Sequence, residues 1–287
     1  MGLQRFVNAC HAVGLGVVLD VVYNHLGPQG APHKYLAPYF HTEAKTPWGK
    51  AMNFSQPGHE QVRMIMAESA RRWLADFHLD GLRLDAVQHL STDGFRSVTE
   101  DIRDAVDRLG RETWRRWLIA ELSPQSAVAT KPIDEGGLGV DMCWDFWIGE
   151  HLRDLAEAGS DGERRRAALR SLIQHHRDAS PERWASAYLS HDILGNTATG
   201  ERPAVRVDQG LTLAIMALHL TMPCTRMLFM SEEWAATSPF PYLVGYDDRV
   251  LLDAIRAGRA AELTGKGCRE PILDPAAPET VASAQLR

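Results

Sequence analysis

At 287 residues the chain is long enough to bury one large α/β core, and its 45% hydrophobic and 24% charged content fits a soluble globular protein. Its formal charge of -6 argues against a nucleic-acid partner, which needs a basic face; the run Arg164, Arg165, Arg166 reads as a wet helix face. Cys10, Cys143, Cys224 and Cys268 are too far apart for a short-spaced zinc site and fit a reduced, cytoplasmic compartment.

The opening segment GLQRFVNACHAVG predicts a helix and lacks the basic start and long apolar core of a secretory signal. It leads through Gly14 and Gly16 into VVLDVV, an apolar run suited to a parallel strand covered on both faces. A loop over residues 26–57 follows, rich in Gly, Pro, His and aromatics. The recurrence of Val62, Ile65, Met66, Trp73 and Phe77 then predicts a helix over 58–77. LRLDAV returns the chain as a strand. Helices near 95–109, across much of 150–177 and near 208–220 alternate with further strands, so that six strands are expected at 17–22, 82–87, 117–121, 140–144, 185–190 and 226–230. The most apolar stretch, LTLAIMALHLTMPCTRMLFM, is broken by His219, Pro223 and Arg226 and reads as two buried elements rather than a membrane span.

This alternation suits a closed barrel or an open sheet. Functional residues at the ends of several strands favour a (β/α)8 TIM barrel, here with its first two strands expected before Met1. The expected division is a partial catalytic barrel over 1–260 and a post-barrel segment over 261–287.

Three acidic residues follow strand-like runs: Asp85 in GLRLDAVQHL, Glu121 in RRWLIAELSPQ and Asp192 in WASAYLSHDILGN. Glycoside cleavage with retained configuration needs a carboxylate that attacks carbon and a carboxylic acid at the leaving oxygen, about 5–5.5 Å apart. Asp85 and Glu121 are about one βα unit apart, which suits neighbouring parallel strands; Asp85 is assigned the nucleophile and Glu121 the acid/base. Arg83 shares a strand face with Asp85 and is placed to keep it ionised. Asp20 and His25 close the first strand, and His191 beside Asp192 repeats the pairing of donor and anion. Asp192 is expected to grip hydroxyls and stabilise the cationic transition state. Among the aromatics Tyr23, Tyr35, Tyr39, Trp48, Phe54, Trp144, Trp147 and Trp234, Trp48 and Trp234 are candidates to cover sugar faces. Each of these residues also has a purely structural reading, as a cap, an ion-pair partner or core filling. Glu232 and Glu233 are candidates to bind saccharide or to support the barrel mouth, and a catalytic use of either would be redundant. No HExxH, CxxC, phosphate loop, GxGxxG or GxSxG occurs, so no metal and no cofactor is expected.

At these residues the chain resembles the α-amylase superfamily, glycoside hydrolase family 13, through DVVYNH at 20–25, GLRLDAVQH at 81–89, IAEL at 119–122 and LSHD at 189–192. TPWGKAMNF, DILGNTATGER and LFMSEEWAATSPFPYL resemble the subgroup of malto-oligosyltrehalose trehalohydrolases. The resemblance implies a partner substrate, maltooligosyltrehalose or a related α-glucan, cleaved next to its terminal trehalose. It carries the same roles onto Asp85, Glu121 and Asp192 and places Asp20, His25, Arg83 and His191 around the reacting glucose. The chain departs from the subgroup pattern with LSPQ after Glu121, SHD for NHD at 190–192, and Ser231 where Gly is usual. Two alternatives remain open: another α-glucan hydrolase or glucosyltransferase with the same trio, and a carbohydrate-binding or truncated protein without turnover. A partner chain or self-association that closes the sheet belongs to the same expectation; a membrane does not.

Overall fold

The computed structural model describes residues 2–27, 32–89, 95–110, 115–122, 126–177 and 183–286. The chain divides into two compact units, Met1–Phe146 with Ala179–Ala185, and Trp147–Asp178 with Ser186–Arg287.

In the first unit, α1 (Gly2–Ala12) leads into β1 (Val18–Val21), a hairpin of β2 (Phe40–Thr46) and β3 (Gly49–Met52), α2 (His59–Asp76), β4 (Gly81–Leu84), α3 (Phe95–Asp107), β5 (Trp117–Glu121), the short α4 (Ser126–Ala129) and β6 (Met142–Trp144). Strand β7 (Trp184–Ala187) begins in this unit. Its sheet runs β1-β4-β5-β6-β7, each described pair parallel. This is the consecutive βα winding of a (β/α)8 barrel, and the strands anticipated from the apolar runs all form. Leu82, Leu84, Leu118 and Ala120 are at most 2% exposed, because strands flanked by helices bury both faces.

The register sets the site. Asp20 lies opposite Arg83, and Arg83 opposite Ile119. Leu84 lies opposite Ala120, so the residues one step on, Asp85 and Glu121, leave neighbouring strands at the same level. At the other end of the same strand pair, Gly81 sits opposite Trp117, and a Cβ built on Gly81 would lie 2.7 Å from the Trp117 carbonyl oxygen. Only glycine lets β4 and β5 approach this closely.

The second unit holds most of α5 (Phe146–Glu157), α6 (Gly162–Arg177), the end of β7, α7 (His191–Gly195), α8 (Pro203–Arg206), α9 (Gln209–Thr221), β8 (Thr225–Met227), α10 (Arg249–Gly265) and α11 (Pro278–Ser283). Two expectations change. The segment 26–57 is not one loop, since its polar stretches FHTEAKT and GKAM pair antiparallel. Helical structure across 150–177 is interrupted between α5 and α6, where Gly159 adopts φ +52.

Candidate active site

Arg83 organises the first unit's site. Its side chain is 7% exposed, and its Nη1 donates to both oxygens of Asp20 at 2.6 and 2.7 Å and to Asp85 Oδ1 at 2.9 Å. Its Nη2 lies 2.7 Å from Glu121 Oε2, which also accepts from the Ala86 backbone N–H at 2.8 Å. Two nitrogens of one guanidinium thus touch both predicted reactive carboxylates, so those oxygens stand no more than roughly 8 Å apart, within reach of a single glycosidic bond. Burial works against the Arg83 charge, but Glu121, Asp20 and Asp85 outweigh it and raise its pKa above the ordinary arginine value. Trp144, opposite Glu121 in the register, puts its ring 4.5 Å from the guanidinium carbon.

Asp85 is fixed from a second side. Asn24, fully buried, donates through Nδ2 to the Asp85 carbonyl at 2.7 Å and to its Oδ2 at 3.1 Å. The Asp85 N–H donates to Val21 O at 3.0 Å, and the following Ala86 takes φ +41, a left-handed bend rare for a side-chain-bearing residue. That bend is where the Ala86 N–H meets Glu121. His25 hydrogen-bonds the Asn24 side chain through Nδ1, and its ring stacks on Trp48 at 4.9 Å between centroids. Trp48 remains 44% exposed, an accessible aromatic face beside the carboxylates' immediate support. Sequence reasoning passed over Asn24; the available signal was an amide directly after the apolar run of β1, inside DVVYNH.

Cys143 neighbours Ala120 in the register and is no nucleophile: burial pushes its pKa up to about 12, and its Sγ donates to Leu122 O at 3.3 Å. Among the described residues, no group of three or more His, Cys, Asp or Glu is placed to hold a metal ion.

His191 and Asp192 belong to the second unit, where they open α7 instead of ending a strand. Their side chains are 47% and 42% exposed, with His191 Nε2 3.4 Å from Asp192 Oδ2. Ser190 caps this turn by accepting from the Ile193 N–H at 3.2 Å. Serine and asparagine both cap well, so SHD retains the cap that NHD would supply. Ser231 adopts φ +66, a conformation that suits glycine, and carries a strain that glycine there would not. Glu232 is buried, and burial raises its pKa to about 7. Trp234, on the turn after β8, is 57% exposed. Ser123, Pro124 and Gln125 of the departing LSPQ segment lie outside the described residues.

Comparison with known proteins gives a consistent picture. Over 309 residues the chain is 35% identical to malto-oligosyltrehalose trehalohydrolase of Arthrobacter ramosus, an alignment covering 99% of this chain and 54% of the relative. It is 31% identical to the Saccharolobus solfataricus protein of the same name, covering 91% of this chain and 50% of that one. A Salmonella typhimurium crystal structure, alpha-amylase-like by its description, superposes with a TM-score of 0.84 at 27% identity, over 99% of this chain and 52% of that one. The chain spans about half the length of the curated relatives it matches. No family model matches it.

Proposed function

We propose that the chain is a member of the α-amylase superfamily, as its trehalohydrolase-named relatives and the alpha-amylase crystal structure it superposes on suggest, and that it hydrolyses the α-1,4 bond next to the terminal trehalose of maltooligosyltrehalose, releasing trehalose with retention. The observation that carries this reading is the single buried guanidinium shared by Asp20, Asp85 and Glu121. Arg83 and Asn24 hold Asp85 in one orientation, as a nucleophile must be held. Glu121 protonates the bridging oxygen while an Asp85 oxygen forms a bond to the anomeric carbon. The Glu121 carboxylate then takes a proton from water, which displaces Asp85 and restores the α configuration. With Glu121 acting as the acid, Asp20 and Asp85 still outnumber the single Arg83 cation, and this excess negative charge favours an oxocarbenium-like transition state. Asp192 is assigned to gripping hydroxyls and stabilising that cation, and His191, His25, Trp48 and Trp234 to binding the sugar. The protein is assigned to the cytoplasm, a reading the four free cysteines support.

Incubation with maltooligosyltrehalose tests the proposal directly. Free trehalose is expected, with the newly formed reducing end of its maltooligosaccharide co-product appearing first as the α-anomer by NMR. A new glucan linkage without trehalose would sink the hydrolytic reading. Glu121→Gln is expected to lower kcat by about 10²–10⁴, and Asp85→Asn to abolish turnover; unchanged hydrolysis in Glu121→Gln removes that residue from the acid/base role.

A further inference from the structure

The second unit contains buried polar atoms that the proposed reaction does not use. A small pocket of about 30 Å³ is lined by Tyr188, Arg202 and Glu232 with apolar neighbours such as Leu189 and Met216. The three polar residues are only 1%, 2% and 5% exposed. Tyr188 Oη, both Nη atoms of Arg202 and Glu232 Oε1 have no hydrogen-bond partner among the described residues. The remaining polar atoms are anchored: Arg202 Nε donates to Ser238 O at 2.8 Å, and Glu232 Oε2 accepts from the Phe229 N–H at 2.8 Å. The unsatisfied atoms therefore reflect how the side chains are held. Buried polar groups rarely go without a partner, and when protein supplies none, ordered water does.

We infer that this pocket is a built site for one water molecule, which accepts from Tyr188 and Arg202 and donates to Glu232 Oε1. The space of about 30 Å³ exceeds the ~10–15 Å³ that a water needs. One water can accept from Tyr188 Oη and one Arg202 Nη and donate to Glu232 Oε1, a mixed set that a pure donor or a pure acceptor would not serve. A neutral ligand also fits the charge. The Arg202 cation is opposed by Glu232, and Glu233 adds further negative potential nearby, so an anion is disfavoured. The water joins three segments of the second unit: the residue following β7 and shortly preceding His191, the segment between α7 and α8, and the turn that carries Trp234. The inference is independent of the saccharide reading.

A high-resolution crystal structure of the unmodified chain is the first test. A water peak within about 2.6–3.2 Å of Glu232 Oε1 and of an Arg202 Nη supports the site. A dry pocket in which Arg202 and Glu232 close into a direct pair overturns it, as does an anomalous bromide peak there after a soak. Tyr188→Phe supplies a second readout whose sign decides. If the hydroxyl bonds to water, the melting temperature falls by a few degrees; if it is dry and unsatisfied, removing it leaves the melting temperature unchanged or raises it, which overturns the inference.

Discussion

Arg83 in the first unit and Arg202 in the second are both almost wholly buried, with 6% and 2% exposed, yet their pKa values move in opposite directions. Burial disfavours the charge in both. For Arg83 the ion pairs with Glu121, Asp20 and Asp85 prevail. For Arg202 burial prevails, because Glu232 and Glu233 act on it without forming a direct ion pair. A buried guanidinium is thus an organising charge only where carboxylates contact it, and burial alone says little about its role.

Breaking the contacts around Arg83 should have the largest effect on this contrast. Arg83→Met leaves Asp20, Asp85 and Glu121 without their shared cation, and a loss of roughly 3–5 kcal/mol of stability is expected in chemical denaturation. Arg83→Lys retains the charge but not the two-pronged fork, so it should not restore turnover; full activity in the lysine variant would show that charge alone suffices.

In the second unit the sharper probe is pH. Glu232 has its pKa raised by burial to about 7, against about 4.3 in an unfolded chain. Between those values the folded state binds the extra proton, so this group's contribution is fully present below about pH 4 and lost as pH rises through about 7, by about 4 kcal/mol. Melting curves across that range should show the decline, and Glu232→Gln should flatten it. An unchanged slope in the variant would assign the pH dependence elsewhere. The smallest effect is expected at Trp48, whose stacking on His25 leaves one face accessible. Trp48→Ala should raise KM by about two- to tenfold, equivalent to ~0.5–1.5 kcal/mol of aromatic contact, with little change in kcat.

The alternation of strands and helices was legible because buried parallel strands leave continuous apolar runs in the sequence, as in VVLDVV and WLIAEL. The β2–β3 hairpin was not, because FHTEAKT and GKAM are short, polar and without a regular alternation. Arg83 and Asp85 were legible as a pair because two residues along a strand share a face, and Glu121 joined them through the register. Asn24 could be placed against Asp85 only once the turn after β1 was known. Arg202 gave no local signal, since its surroundings come from Tyr188 and Glu232, both distant in sequence.

The missing side chain at Gly81 has an effect at the opposite end of its strand. A methyl group there would press on the Trp117 carbonyl and wedge apart the two strands that deliver Asp85 and Glu121. The gap between the oxygens proposed to attack and to donate the proton is thus gauged partly by a lone hydrogen atom at the far end of the strand pair, and a Gly81→Ala variant would be detuned at the proposed reactive end without losing any group assigned to the chemistry.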